Sequence, residues 1–142
     1  MKKIIFTICT FALLAACATP YKQAKKETSN GYFDSKLQEG MYEVLFSGNE
    51  NTSFGKANNF ALLRAAEVSL ENGYKSFEIV RQAQDYTEKE SDSGIKIFGG
   101  TLTDIVKSEP KITLVIRCSK GTDLPYKAQE LKTNLRAKYK LQ

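Results

Sequence analysis

The chain has 142 residues and carries 21 lysine and arginine residues against 16 aspartate and glutamate residues, which gives a formal net charge of +5. This length fits one domain with a tail. The chain contains no histidine, which excludes histidine-based triads, most catalytic zinc sites and the usual general base near neutral pH. We therefore predict no catalytic residues and no metal site.

The first sixteen residues are organised like a secretory signal. Lys2 and Lys3 precede an uncharged, mostly apolar stretch over residues 4–16. This stretch is too short for a membrane-spanning helix, which needs about 20 apolar residues. A charged start, a brief apolar core and small residues at the end predict a signal peptide that is cleaved after residue 16.

The end of the apolar stretch resembles a bacterial lipobox. Its residues are Leu14, Ala15, Ala16 and Cys17. The small residues suit a narrow peptidase subsite, and the cysteine thiol takes a diacylglyceryl group, so we predict a covalent lipid on Cys17 and no other cofactor. Ala18 follows, which by analogy with enteric sorting rules favours the outer membrane. We therefore expect a lipid-anchored protein of the cell envelope that faces the periplasm.

Cleavage after residue 16 changes the charge and the cysteine count. The net charge falls to +3, with 19 basic against 16 acidic residues. An exported protein without a basic cluster on one element is not expected to bind nucleic acid. Cys118 alone remains with a free thiol, so no intramolecular disulfide is expected.

Residues 17–40 are predicted to form a flexible tether behind the lipid. They are polar, contain one proline and two glycines, and show no sustained periodicity. A flexible coil of this length spans about 25–30 Å, so it would hold the domain near the membrane without fixing its orientation. Tyr21, Tyr32 and Phe33 depart from this polarity, and part of "NGYFDSKL" is expected to pack back on the domain.

The domain over residues 41–142 begins with a predicted strand and a predicted helix. Residues 41–47 alternate, with Tyr42, Val44 and Phe46 on one face. Thr52 or Ser53 can cap the following helix, and Gly73 is a good stop signal. A helical wheel gives an apolar face of Leu62, Leu63, Ala66 and Leu70 and a charged stripe of Arg64, Glu67 and Glu71.

Two more strands and a second helix follow. The strands are predicted over residues 74–86 and 111–119, and the helix over residues 125–139. The order β-α-β-β-α predicts an α+β domain, with a small antiparallel or mixed sheet of three to four strands packed by two helices. Cys118 falls on the inner face of its strand, which favours a buried, inert thiol over a nucleophile.

The connection over residues 87–109 has two unlike halves. The acidic run from Glu88 to Gly94 lacks the glycine and glutamate positions of a calcium-binding EF-hand loop. The second half, "GIKIFGGTLTDIV", is rich in apolar residues, including Ile97 and Phe98. It predicts additional packed structure, with an apolar patch for a partner or a membrane as the alternative.

Several motifs resemble a family of small uncharacterised lipoproteins of Gram-negative bacteria. They are "NGYFD" (30–34), "FSGN" (46–49), Thr52, "LLRAAEVSLENGYKSFEIV" (62–80) and the strand before Cys118. The family's first motif begins Gly-Gly-Tyr, whereas Asn30 stands first here. The resemblance implies an anchored envelope domain and no particular activity. It makes Asn49, Arg64 and Glu67 candidate binding residues, although a solvated helix face with one ion pair is the simpler interpretation of Arg64 and Glu67.

Three functions are compatible with these patterns. The first is an envelope lipoprotein without catalytic activity, whose small domain binds an envelope protein. The second is binding of peptidoglycan or another cell-wall ligand, because "NFALLRAAEV" (59–68) is similar to the peptidoglycan-binding helix of OmpA-like domains, with a different arginine spacing. The third is a small carboxylate-based enzyme acting on cell wall or lipid. The sequence predicts no oligomeric state.

Overall fold

The computed structural model describes residues 17–89 and 107–142, so the predicted signal peptide, the lipobox residues before Cys17, and Ile97 and Phe98 lie outside the described residues. Within these residues, five strands and two helices follow one another in the order β1 (Gly31–Gln38), β2 (Met41–Ser47), α1 (Phe54–Glu71), β3 (Ser76–Lys89), β4 (Lys107–Ser119), β5 (Tyr126–Lys127) and α2 (Ala128–Tyr139). The predicted α+β class is confirmed. The sheet has five strands instead of three or four, because β1 and the short β5 join it.

The strands form one antiparallel sheet in the order β1-β2-β4-β3-β5. The residues of β2 that were predicted to face inward are buried under the helices, and so are alternate residues of β4. They are Tyr42, Val44 and Phe46 on β2 and Ile112, Leu114 and Ile116 on β4. The register of β3 against β4 shifts between Ile79 and Arg81. This bulge places Val80 outside the regular pairing and leaves it exposed.

Helix α1 packs against the sheet and against α2. Ser53 is its N-cap and accepts a hydrogen bond from the Lys56 N–H at 3.2 Å, and Gly73 follows its end with φ +79°, as both signals predicted. Its buried surface is wider than the predicted apolar face, because small alanines allow close approach on several sides. Leu62 and Leu70 are only partly buried, whereas Glu67 is buried.

The expectation of a flexible tether over residues 17–40 is wrong, whereas the expectation that part of "NGYFDSKL" packs back on the domain is confirmed. Residues 31–38 form the edge strand β1, with Tyr32 opposite Phe46 of β2. The preceding residues lie along the domain, where Thr19 and Ala24 are buried. The Thr19 N–H, the Thr19 hydroxyl oxygen and the Tyr21 hydroxyl bond to side chains or backbone of the domain, so the folded unit includes residues before residue 41.

The two ends of the domain carry different elements. Strand β2 ends and α1 begins over residues 47–54, which lie beside Cys17, and we call this the Cys17 end. The β3–β4 hairpin runs past Ser47 at this end, as far as the pair of Lys89 with Lys107. Helix α1 ends, β3 begins, β4 ends and α2 begins over residues 71–76 and 119–128, which form the opposite end. In the described part of the chain, no helix is long and apolar enough to cross a membrane.

A candidate site formed by the N-terminal strap

Residues 17–24, which we call the strap, are held at the Cys17 end by a set of hydrogen bonds. The Thr19 N–H donates to Oγ1 of Thr52 at 2.9 Å and to Oδ1 of Asn49 at 3.2 Å. The Asn49 N–H donates to Oγ1 of Thr19 at 2.8 Å, and the Thr52 hydroxyl donates to Oδ1 of Asn49 at 2.8 Å. Nδ2 of Asn49 donates to the carbonyl oxygen of Cys17 at 2.8 Å. Asn49 therefore positions the residue that is predicted to carry lipid.

Two glycines make room for the strap. A Cβ atom on Gly48 would lie 2.6 Å from Cβ of Thr52, so a larger residue would displace the side chain that binds Thr19. A Cβ atom on Gly31, whose φ is +128°, would lie 2.5 Å from the carbonyl oxygen of Lys22. That carbonyl accepts the Tyr32 N–H at 2.8 Å. Glycine at position 31 lets the strap backbone approach β1 closely, and glycine at position 48 leaves room for the Thr52 side chain.

Tyr21 anchors the strap to the core. Its ring packs against the rings of Tyr32 and Phe60, with centroid distances of 4.8 and 5.3 Å. Its hydroxyl donates a short hydrogen bond to Oε2 of Glu67. Burial, followed by the hydrogen bond to this carboxylate, raises the pKa of Tyr21 far above its usual range. The hydroxyl therefore stays protonated and keeps donating to Glu67.

Glu67 is the centre of a buried ionic network. Only 5% of the residue is exposed. Its Oε1 accepts hydrogen bonds from Nη2 and Nε of Arg136 on α2, at 2.7 and 3.1 Å. Nη1 of Arg64 lies 3.5 Å from Oε2. Both carboxylate oxygens are therefore engaged by side chains from the strap, α1 and α2, which satisfies the charge within the protein.

Arg64 is likewise surrounded by acceptors. Its Nε donates to Oδ1 of Asp34 at 2.7 Å, and its two terminal nitrogens donate to Glu71 at 2.8 and 3.0 Å. The guanidinium carbon lies 4.8 Å from the centre of the Tyr32 ring. Burial by itself would lower the pKa of Arg64, but the hydrogen bonds to Asp34 and Glu71 outweigh it and raise the pKa.

The three candidate binding residues of the described chain converge on the strap. Asn49 binds its first residues, Glu67 binds Tyr21, and Arg64 reaches Glu67 and the Tyr32 ring against which Tyr21 packs. The interpretation of a solvated stripe is wrong for Glu67, whose side chain is buried. The motifs "NGYFD" and "FSGN" and the residue Thr52 also supply contacts to this segment.

Sequence reasoning missed four residues of this site. Thr19, Tyr21, Asp34 and Arg136 complete its contacts. Tyr21 gave a usable signal, because an aromatic ring in a polar segment indicates a packed segment. Arg136 gave none, since its partner Glu67 is 69 positions away in the chain.

Cys118 has the environment of an unreactive thiol. Its side chain lies on the helix-facing side of β4, with Sγ 3.3 Å from Oγ of Ser69. Burial raises the pKa of the thiol, and the hydrogen bond with Ser69 opposes this less strongly. A protonated thiol is a poor nucleophile. Among the described residues, no group of three or more histidine, cysteine, aspartate or glutamate side chains is arranged to hold a metal ion.

An open groove lies at the opposite end of the domain. It has a volume of about 770 Å³ and lies between the end of α1, the start of β3 and the first turns of α2. Leu70, Lys75 and Glu130 are among the residues on its walls. The groove is separate from the strap and its ionic network.

No protein-family model, curated protein or solved structure matches this chain.

Proposed function

We propose that the protein is a lipoprotein of the bacterial cell envelope, anchored in the outer membrane through lipid on Cys17, whose domain binds an envelope partner on the periplasmic side without catalysing a reaction. One observation carries this proposal: the residue that the lipobox pattern marks for lipidation is bonded to the domain through the side chain of Asn49. The anchor and the domain then form one structural unit.

The entropic cost of ordering the strap supports a functional role for holding Cys17 against the domain. Fixing one residue in a single backbone conformation costs about 1–2 kcal/mol of conformational entropy. The strap overcomes this cost through the buried Thr19, the packed Tyr21 ring and the hydrogen bonds to Asn49, Thr52 and Glu67. A domain that only had to be retained near a membrane would gain nothing from such an attachment, because a disordered linker retains it equally well.

The chemistry of Glu67 and Arg64 favours a structural role over catalysis or ligand binding. Glu67 is buried with both oxygens engaged, so it is not presented to a substrate. Arg64 is bonded to Asp34 and Glu71 and lies beside Glu67, so a cell-wall carboxylate would have to displace acceptors that are already in place. Peptidoglycan binding through Arg64 is therefore the weaker proposal.

The anchor can be tested in a Gram-negative host that produces the full chain. Metabolic labelling with an alkyne fatty acid should label the wild-type protein, and mass spectrometry should find an acylated N-terminal Cys17. The Cys17→Ser variant should remain unlabelled and keep its first 16 residues. An unlabelled wild-type protein, or one with an intact signal segment, would contradict the proposal.

Partner binding can be tested with the lipidated protein in intact cells. Crosslinking followed by purification should retrieve an envelope protein reproducibly, and the same experiment with the Cys17→Ser variant supplies the control. A sacculus pull-down with Arg64→Ala tests the alternative. Sedimentation with sacculi that depends on Arg64 would favour the cell-wall ligand. Retrieval of neither a protein nor a glycan would contradict both binding functions.

A further inference from the structure

We propose that the Cys17 end of the domain rests on the phospholipid surface, so that the domain stands on the membrane in one orientation with its groove facing away. This inference rests on the proposed lipidation of Cys17. It goes further because it assigns a lipid-contacting surface to the folded domain itself.

The first step is the length of chain between the anchor and the domain. Thr19 is bonded to Thr52 and Asn49, and the carbonyl group of Cys17 is bonded to Asn49. Ala18 alone separates the two held residues. An extended chain spans about 3.3–3.6 Å per residue, so Cys17 cannot move more than several ångströms from Asn49 while these bonds persist.

The second step compares this distance with the depth of the membrane interface. The polar headgroup region on each side of a bilayer is about 5–7 Å thick, which is half the difference between a hydrocarbon core of about 30 Å and a total thickness of about 40–45 Å. Acyl chains attached to Cys17 place its backbone at this level. Asn49 then lies at the headgroups, and the loop over residues 49–53 contacts them beside the β3–β4 hairpin, which extends past Ser47 toward the membrane at this end.

The third step is the chemistry of the side chains at this end. Phe54 begins α1, and its ring packs edge-on against Tyr86 of β3 with a centroid distance of 4.4 Å. Tyr86 is 61% exposed. Aromatic rings with a polar tip are enriched at membrane–water interfaces, where the ring contacts acyl chains and the hydroxyl contacts water. The exposed Tyr86 ring, with the partly buried Phe54 ring packed against it, suits a lipid surface.

The fourth step is the direction of the domain. Helix α1 has 18 residues and runs from the Cys17 end to the opposite end. At a rise of 1.5 Å per residue, it spans about 27 Å. The groove beside Leu70 and Lys75 lies at its far end. A domain resting on the Cys17 end therefore presents this groove to the periplasm, well clear of the headgroups.

The test measures which end of the domain approaches the lipid. The lipidated protein carries Cys118→Ser and one nitroxide label, placed through Asn51→Cys at the Cys17 end or Thr122→Cys at the opposite end. Both positions are exposed. Each protein is reconstituted in vesicles of phosphatidylethanolamine and phosphatidylglycerol that contain a nickel-chelating lipid, and spin relaxation is measured by electron paramagnetic resonance.

We expect the headgroup nickel to enhance relaxation several-fold more at residue 51 than at residue 122. A flexible insertion of ten Gly-Ser residues between Cys17 and Ala18 should bring the two enhancements close to equality, because the strap stays bound while the anchor is released. Thermal melting of each labelled protein checks that the fold is intact.

The outcomes separate this inference from the proposed function. Protein that is not acylated and does not float with vesicles overturns the lipoprotein assignment itself. Acylated protein with equal enhancements at residues 51 and 122 overturns the orientation alone, as does a contrast that the insertion leaves unchanged. The double variant Phe54→Ser and Tyr86→Ser tests the aromatic contact. Loss of the difference in relaxation enhancement between residues 51 and 122 in this variant would support that contact. Retention of the contrast in that variant would overturn the aromatic part of the inference.

Discussion

Two glutamate–arginine clusters lie on opposite faces of the same sheet, and they differ in burial and in what they connect. Glu67 is buried on the helix side and joins the strap, α1 and α2. Glu78 lies on the open face and pairs with Arg117 on the adjacent strand, with side chains 27% and 61% exposed. The strands β3 and β4 are already paired through their backbones, whereas the strap has no extended backbone pairing to the helices.

The difference shows when an ion pair shapes a fold. An exposed pair gains little, because water screens it and two long side chains lose freedom. A buried carboxylate needs hydrogen-bond donors from the protein, because water does not reach it. The segments that supply these donors must therefore pack next to it. The network at Glu67 therefore specifies where the strap and α2 lie. The ion pair of Glu78 lies on a sheet that forms without it.

The largest effect is expected from Glu67→Ala. Removing the carboxylate leaves the Tyr21 hydroxyl without its acceptor and leaves Arg136 with an unpaired charge in a partly buried position. We expect a loss of about 3 kcal/mol in the free energy of unfolding. Urea unfolding of residues 17–142 carrying Cys17→Ser measures it. A loss below 1 kcal/mol would show that the network does not hold the strap.

Gly31→Ala should be nearly as costly. The new Cβ would meet the Lys22 carbonyl oxygen at 2.5 Å, and φ of +128° is unfavourable for alanine. We expect a loss of about 2–3 kcal/mol in the free energy of unfolding. Gly55→Ala is the matched control, because it lies in α1 with open space around it and should stabilise by about 0.5–1 kcal/mol. Equal effects of the two substitutions would contradict a close approach of the strap.

Tyr21→Phe should lower stability by about 2 kcal/mol near neutral pH. The ring packing is kept, but the hydrogen bond to a charged acceptor is lost. Chemical denaturation compares the variant with Tyr86→Phe, whose exposed hydroxyl should matter little. A similar small effect of both substitutions would mean that Tyr21 contributes through its ring alone.

The same variant should alter stability at alkaline pH. The fold raises the pKa of Tyr21 above its ordinary value of 10, so the contribution is fully present below pH 10. Above that pH the unfolded state releases the proton and the folded state retains it, so stability falls by up to about 1.4 kcal/mol per pH unit. In Tyr21→Phe this part of the slope should vanish. An unchanged slope between pH 10 and 11 would contradict a buried, protonated Tyr21.

Glu78→Ala should produce the smallest effect, at most about 0.5 kcal/mol. Its partner Arg117 is mostly exposed and can be solvated when the carboxylate is removed. The measurement is the same unfolding experiment, repeated in high salt, where the difference from wild type should shrink further. A loss as large as that of Glu67→Ala would remove the distinction between the two faces.

The central strands were predictable because half of their residues face one buried layer. Apolar and polar residues alternate in β2 and in the second half of β4, which indicates one buried face. Ser53 and Gly73 mark the two ends of α1, because the N-cap and the left-handed residue after the helix are local features. The edge strand β1 was not predicted as a strand. It has a neighbouring strand on one side and only intermediate burial along its first half, so its residues alternate weakly and it was read as part of a tether.

The α+β class, the core strands and the extent of α1 follow from the amino-acid sequence, because hydrophobic periodicity and helix caps are local to a few residues. The burial of Glu67 and the binding of the strap depend instead on contacts between distant segments. The partners of Glu67 lie 46 and 69 positions away in Tyr21 and Arg136. Charged residues at helical spacing look the same whether water or distant donors surround them, because no local period records which segments pack against a helix.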